Sequence, residues 1–168
     1  MNKEIVIRAM CDQDQALYKE WLYRPHVAKW YHDPESWIKE AEQRNETFCW
    51  IHHFIVMCQD KPIGFCQYYA CQDSEEAWQG YTALGGTYSI DYFIGETDYL
   101  RQGYGKAIIY ELMNQISRYP DAKRVVVEPE PENHASCGVL LACGFSFEET
   151  TGIYIKTIVK EAASNEGL

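Results

Sequence analysis

Two short stretches carry the residues best suited to chemistry. The first is LRQGYGKAI, residues 100–108, where Gly103 and Gly105 stand between a strand-like run and a helix-like one. The first amides of a helix have no intrahelical partner, and the helix dipole places partial positive charge on them. Glycine permits positive φ and lets a ligand approach the backbone closely. Such a junction can cradle a phosphate, and Arg101 and Lys106 add positive charge to it. The P-loop ending Gly-Lys-Ser/Thr is missing, and only two glycines of the dinucleotide fingerprint Gly-x-Gly-x-x-Gly are present. Read alone, Gly-x-Gly fits either a structural turn or a cradle. The second stretch is SIDYFIG, where Asp91 lies in an otherwise apolar run, ten residues before Arg101.

The elements that must hold these stretches can be read from periodicity. EIVIRAM alternates as a strand, and a helical stretch follows Asp12 and Asp14 through Leu22. HDPESWIKEAEQR has a helix start, with Asp33 as cap and Pro34 in the first turn. CWIHHFIVMC and KPIGFCQYYAC form a hairpin about QDKP, residues 72–86 form a loop, and TYSIDYFIG is a strand. Gly103 to Arg118 is helical, with Tyr104, Ile108, Leu112 and Ile116 on one face. KRVVVEPEP is a short buried strand stopped by prolines, and HASCGVLLACGF is a helix ending at Gly144. FSFEET and GIYIKTIVK close the chain as strands. The helix at 103–118 joins strands too far apart for a hairpin, so a parallel crossover is expected there. The expected fold is a mixed α/β (α+β) sheet, not a doubly wound one.

The 168 residues suit one domain over 1–160, with a polar tail at 161–168. The net charge of −10 counts against a nucleic-acid partner and suits a cationic one, or solubility alone. The chain lacks an apolar run of membrane length and a signal-like start, so no membrane association and a cytoplasmic location are expected. Its seven cysteines show no tetrahedral ligand spacing, so no metal is expected and they read as core residues.

The run SIDYFIG…YLRQGYGKAI…VVVEPEPENHASCGVLLACGFSF resembles the GNAT superfamily of acyl-CoA-dependent N-acetyltransferases over nearly the whole chain. The resemblance implies the GNAT fold: a single mixed, mostly antiparallel sheet, flanked by helices, with its parallel crossover at the CoA-binding helix. It implies acetyl-CoA as cosubstrate, its pyrophosphate on the backbone of Arg101, Gln102, Gly103, Tyr104, Gly105 and Lys106. Phe93 and Ile94 on the strand, and Asn133 and Ser136 after the next strand, are further donor-site candidates. EWLYRPHVAKWY, KPIGFCQYY and SIDYFIG look like the aminoglycoside 6'-N-acetyltransferases. That likeness implies an aminoglycoside resistance activity, with direct attack in a ternary complex. Asp91 would bind the substrate amine and act as its general base, and a backbone amide near Phe93 would polarise the thioester. Trp30, Gln67, Tyr69 and Glu128 are the other acceptor-site candidates, with Trp78 and Tyr68 as possible sugar-stacking rings.

Two positions depart from the pattern. Leu100 replaces the usual Gln or Arg before the glycine turn, which a backbone cradle tolerates. Leu140 replaces the tyrosine that protonates the leaving thiolate in much of the family. Water or another tyrosine such as Tyr104 is left for that role, which stays unassigned. Other acceptors remain open: a siderophore hydroxamate precursor, a polyamine or a protein N-terminus. So does a non-catalytic acyl-CoA sensor, and so does a monomer or a homodimer.

Overall fold

The computed structural model describes residues 3–75, 78–80 and 82–160. The polar tail expected at 161–168, and Glu76, Ala77 and Tyr81 of the loop at 72–86, lie outside the described residues. The sheet is organised by the hairpin of β2 (Ile51–Cys58) and β3 (Lys61–Ala70). Gln59 and Asp60 link them with φ of 47° and 66°, the two left-handed residues that a tight hairpin turn requires. β1 (Val6–Ala9) pairs with β2, and β4 (Thr87–Ile94) pairs with β3, both antiparallel. β4 is followed by α4 (Tyr104–Ser117) and then β5 (Arg124–Val127), which lies parallel to β4. α5 (His134–Ala142) leads to β6 (Ser146–Glu148) and β7 (Ile153–Thr157). The strand order is β1-β2-β3-β4-β5-β7-β6, antiparallel everywhere except β4–β5. The mixed sheet and its one parallel crossover are as expected.

Three helices, α1 (Gln15–Tyr23), α2 (Pro25–Ala28) and α3 (Pro34–Glu42), precede β2. The sequence reading holds two, because a four-residue turn is too short to show a period. Asp33 caps α3 as its position suggests, its carboxylate accepting from Ser36 N at 3.4 Å.

Strand alternation divides the core. Ile90 faces one side with Cys66, Tyr68 and Tyr88, where α4 lays Ile108, Ile109, Leu112 and Ile116 against the sheet. Phe93 faces the other with Ile55 and Phe65, under Tyr18, Trp21 and Leu22 of α1. Burying each of these large side chains is worth roughly 1.5–3 kcal/mol. The helices therefore clamp β3 and β4 from both faces and fix the strand that carries Asp91.

Candidate active site

β5 is short for a chemical reason. Pro129 and Pro131 follow it and have no amide to donate to a ladder. Only Thr87, Tyr88 and Ser89 of β4 find partners on β5, so the β4 edge from Ile90 onward is parted from it. Gly95 N donates to Ile63 O at 2.8 Å, which fixes the parity of the β3–β4 ladder. The amides of Phe93 and Asp91 thus face β3, and those of Ile90, Tyr92 and Ile94 face the parted edge. Side chains from the α2 segment meet that edge. The Tyr31 hydroxyl donates to Tyr92 O and accepts from Tyr92 N, and His26 Nε2 lies 2.8 Å from Ile94 O.

A cleft of about 340 Å³ opens at the parting. All five acceptor-site candidates, Trp30, Gln67, Tyr69, Asp91 and Glu128, line it. Gln67 is 2% exposed and donates its amide N–H to Asp91 Oδ2 at 2.9 Å across the β3–β4 pair. Its Oε1 is buried without a hydrogen-bond partner. A buried acceptor left unpaired costs about 1–3 kcal/mol, so it is poised for an incoming donor. Glu40 and Glu130 add two further carboxylates. The described residues lining the cleft include no Lys, Arg or His. Trp37, Trp50 and Trp78 join Trp30 in its walls. Burial, and then the neighbouring Asp91 carboxylate, raise Tyr31 well above the usual tyrosine range, so its hydroxyl keeps its proton. The arrangement can bind a cation against aromatic walls and take a proton from it.

The glycine turn stands at the start of α4. Gly103 caps the helix with φ 89°, preceded by Arg101 at φ 60°. This left-handed pair turns the chain so that the α4 amides look outward, and Ala107 N is bonded back to Gly103 O at 3.4 Å. Arg101, Gln102, Gly103 and Lys106 are exposed there, and Gly105 is half-buried. A Cβ on Gly105 would make ordinary contact with Val139 and the Tyr92 ring at 3.8–3.9 Å, which places that ring beside the turn. The turn, the parted β4 edge and the cap of α5 fit an extended donor bearing a pyrophosphate. Asn133 caps α5, its Oδ1 accepting from Ser136 N at 3.2 Å, and both residues reach the cleft.

Three donor-site candidates sit otherwise than a direct side-chain contact would require. The Phe93 ring is buried in the α1 core, and its amide is turned to β3. The amide facing the edge beside it is Tyr92's. Ile94 O is taken by His26. Tyr104 is buried, its hydroxyl 3.5 Å from Cys58 Sγ and away from the cleft, so only its backbone belongs to the turn. Leu140 is fully buried.

Tyr31, Trp37, Glu40, Trp50 and Tyr92 line the cleft without having been singled out by sequence. The three-residue spacing of Trp37 and Glu40 puts them on one face of α3, which was a usable signal. The others carry none, since an aromatic beside a strand reads as core.

The family described as acetyltransferase (GNAT) domain matches residues 10–152. Aminoglycoside N(6')-acetyltransferase type 1 of Klebsiella pneumoniae is 23% identical over 155 residues, covering 89% of this chain and 77% of that protein. The protein of the same name from Serratia marcescens matches to the same extent, 23% over 155 residues. Among solved structures, aminoglycoside acetyltransferase AAC(6')-Ib in complex with coenzyme A superposes with a TM-score of 0.80 at 22% identity, over 92% of this chain and 95% of that one. Its complex with coenzyme A and kanamycin gives 0.79 at 22% identity, with the same coverage of 92% and 95%. Since the family match spans most of the length and the parted β4 edge and glycine turn agree with it, the chain belongs to the GNAT acetyltransferases, enzymes whose acyl donor is acetyl-CoA.

Proposed function

We propose that this protein acetylates a primary amine of a cationic small molecule, the 6'-amine of an aminoglycoside in particular. The observation that carries the reading is the acceptor cleft: carboxylates and indoles, with no basic residue among the described lining. A polycationic sugar satisfies both, its ammonium groups against Asp91 and Glu128 and its rings against Trp30 and Tyr69. The names of the curated relatives, and the kanamycin held by a neighbour of the same fold, support that acceptor class.

Each role follows from position. Asp91 attracts the ammonium and then accepts its proton, directly or through one water. Gln67 holds the Asp91 carboxylate by its N–H and offers its unpaired Oε1 to a second ammonium hydrogen. The backbone of Arg101 to Lys106 receives the donor's pyrophosphate at the α4 N-terminus. Ile94, Asn133 and Ser136 border the donor's path to the cleft, and Phe93 supports the strand from the core. Acetyl-CoA, when bound, supplies the acyl carbon that the amine attacks and the thiolate that leaves. The amide of Tyr92 faces that place and is the donor available to polarise the acyl oxygen once Tyr31 yields it.

The test is CoA thiol release by the purified protein with a kanamycin-type aminoglycoside, spermidine and an N-hydroxylysine-type amine. Rapid release with the aminoglycoside is expected. Release with spermidine alone would transfer the acceptor assignment to polyamines. Donor binding without release from any amine would point to an acyl-CoA sensor.

A further inference from the structure

Asp91 and Tyr92 are neighbours in sequence, yet their side chains leave β4 on opposite faces. Asp91 faces the acceptor cleft with Gln67, whereas Tyr92 packs with the α4 and α5 core. Both line one cleft, because the parted β4–β5 edge opens a passage through the sheet. A thioester lying at that edge has the proton acceptor on one side and Tyr92 on the other.

The surroundings of Tyr92 on that second side are specific. Its hydroxyl lies 3.1 Å from Ser136 Oγ in the first turn of α5. Its ring closes over Gly105 at the start of α4. The hydroxyl thus sits at the α5 N-terminus, where a developing negative charge is favoured, and the ring lies against the first turn of α4. The Tyr104 hydroxyl lies elsewhere, engaged with Cys58 in the core. The Leu140 side chain is apolar and buried.

Resting on the donor-site reading above, we infer that the Tyr92 hydroxyl, backed by Ser136, donates the hydrogen bond that stabilises the departing CoA thiolate. As the N–C bond forms and the C–S bond breaks, the bonding pair passes to sulfur. A Tyr92 O–H turned to that sulfur would be backed by the Ser136 hydroxyl, 3.1 Å away, and by the α5 dipole. The amine's proton goes to Asp91 and reaches the thiolate afterwards through solvent. Burial pushes the Tyr92 phenol up to about 12. A thiol has an ordinary value of about 8.5, so the phenol keeps its proton and acts by hydrogen bonding rather than by proton transfer.

The experiment is the titration of the CoA thiol bound to the protein, followed by thiolate ultraviolet absorbance. It needs no acceptor, so it stands apart from the aminoglycoside question. Bound CoA should ionise at lower pH in wild type than in Tyr92→Phe, by roughly 1–2 pK units for one hydrogen bond to a charged atom. Turnover of Tyr92→Phe should fall about 10- to 100-fold, with the KM for acetyl-CoA unchanged. Ser136→Ala leaves the ring in place and should shift the same titration in the same direction by less. It keeps the test open should Tyr92→Phe fail to fold. CoA that binds wild type and both variants and ionises at the same pH in all of them would overturn the inference alone. Failure of CoA to bind wild type would overturn the donor-site reading and the inference with it.

Discussion

Asp91→Asn separates activity from stability in a way the cleft geometry specifies. The substitution keeps the side chain's shape, so the new amide oxygen still accepts from Gln67 Nε2, now 2.9 Å from the carboxylate. On the proposed roles of Asp91 it removes the charge that would attract the ammonium and the base that would accept its proton. Loss of a general base lowers turnover by about 10²- to 10⁴-fold. The acceptor KM should also rise, because a charge pair about 4 Å apart near a protein surface is worth on the order of 4 kcal/mol before desolvation. Stability should move the other way. The new amide N–H can donate to Gln67 Oε1, which is buried and unpaired in the wild type. One satisfied hydrogen bond contributes about 1 kcal/mol, and in a domain of this size that raises Tm by about 2–4 °C. The assay pairs thiol release under saturating acetyl-CoA with thermal unfolding of the free protein. Turnover within about threefold of wild type would refute Asp91 as the base. A fall in Tm would refute the argument from the unpaired Gln67 oxygen.

Two further outcomes test the scaffold. Gly95→Ala should cost more than about 3 kcal/mol in urea unfolding, because a Cβ there would overlap the fully buried Trp21 indole. The His53 imidazole is 6% exposed, and burial lowers its pKa from the ordinary value to about 4. The unfolded chain therefore binds the proton first. The stabilisation is complete above about pH 6.5 and is lost as pH falls toward 4, by up to roughly 3 kcal/mol. Urea midpoints at pH 7 and at pH 4.5 should show the loss, and His53→Phe should flatten it. Asp14, which hydrogen bonds from Arg8 hold at about 2, adds its own loss only below about pH 4.

Much of the fold was legible because its signals are local. The alternation in β2, β3 and β4, the apolar face of α4 and the Asp33–Pro34 start of α3 each announce themselves within a few residues. α2 was not, being a single turn from Pro25 to Ala28. In the site, Asp91 and the glycine turn stood out by type and setting. Tyr92 did not, since an aromatic next to a carboxylate on a strand has the pattern of a core residue.

Sequence by itself determined the order of elements, the glycine turn at a strand-to-helix junction and the acidic balance, because each rests on contacts between near neighbours or on composition. It also contained the cause of the parted edge, in Pro129 and Pro131. Only the tertiary structure decided where that edge opens and what surrounds it. Trp37 and Trp50 come to the cleft from segments distant in sequence from Asp91. The Tyr31 hydroxyl reaches the Tyr92 backbone across 61 residues of chain. Ladder parity turns the Tyr92 amide, and not that of Phe93, toward the opening. Such placements depend on the register and packing of distant elements, which no local pattern specifies.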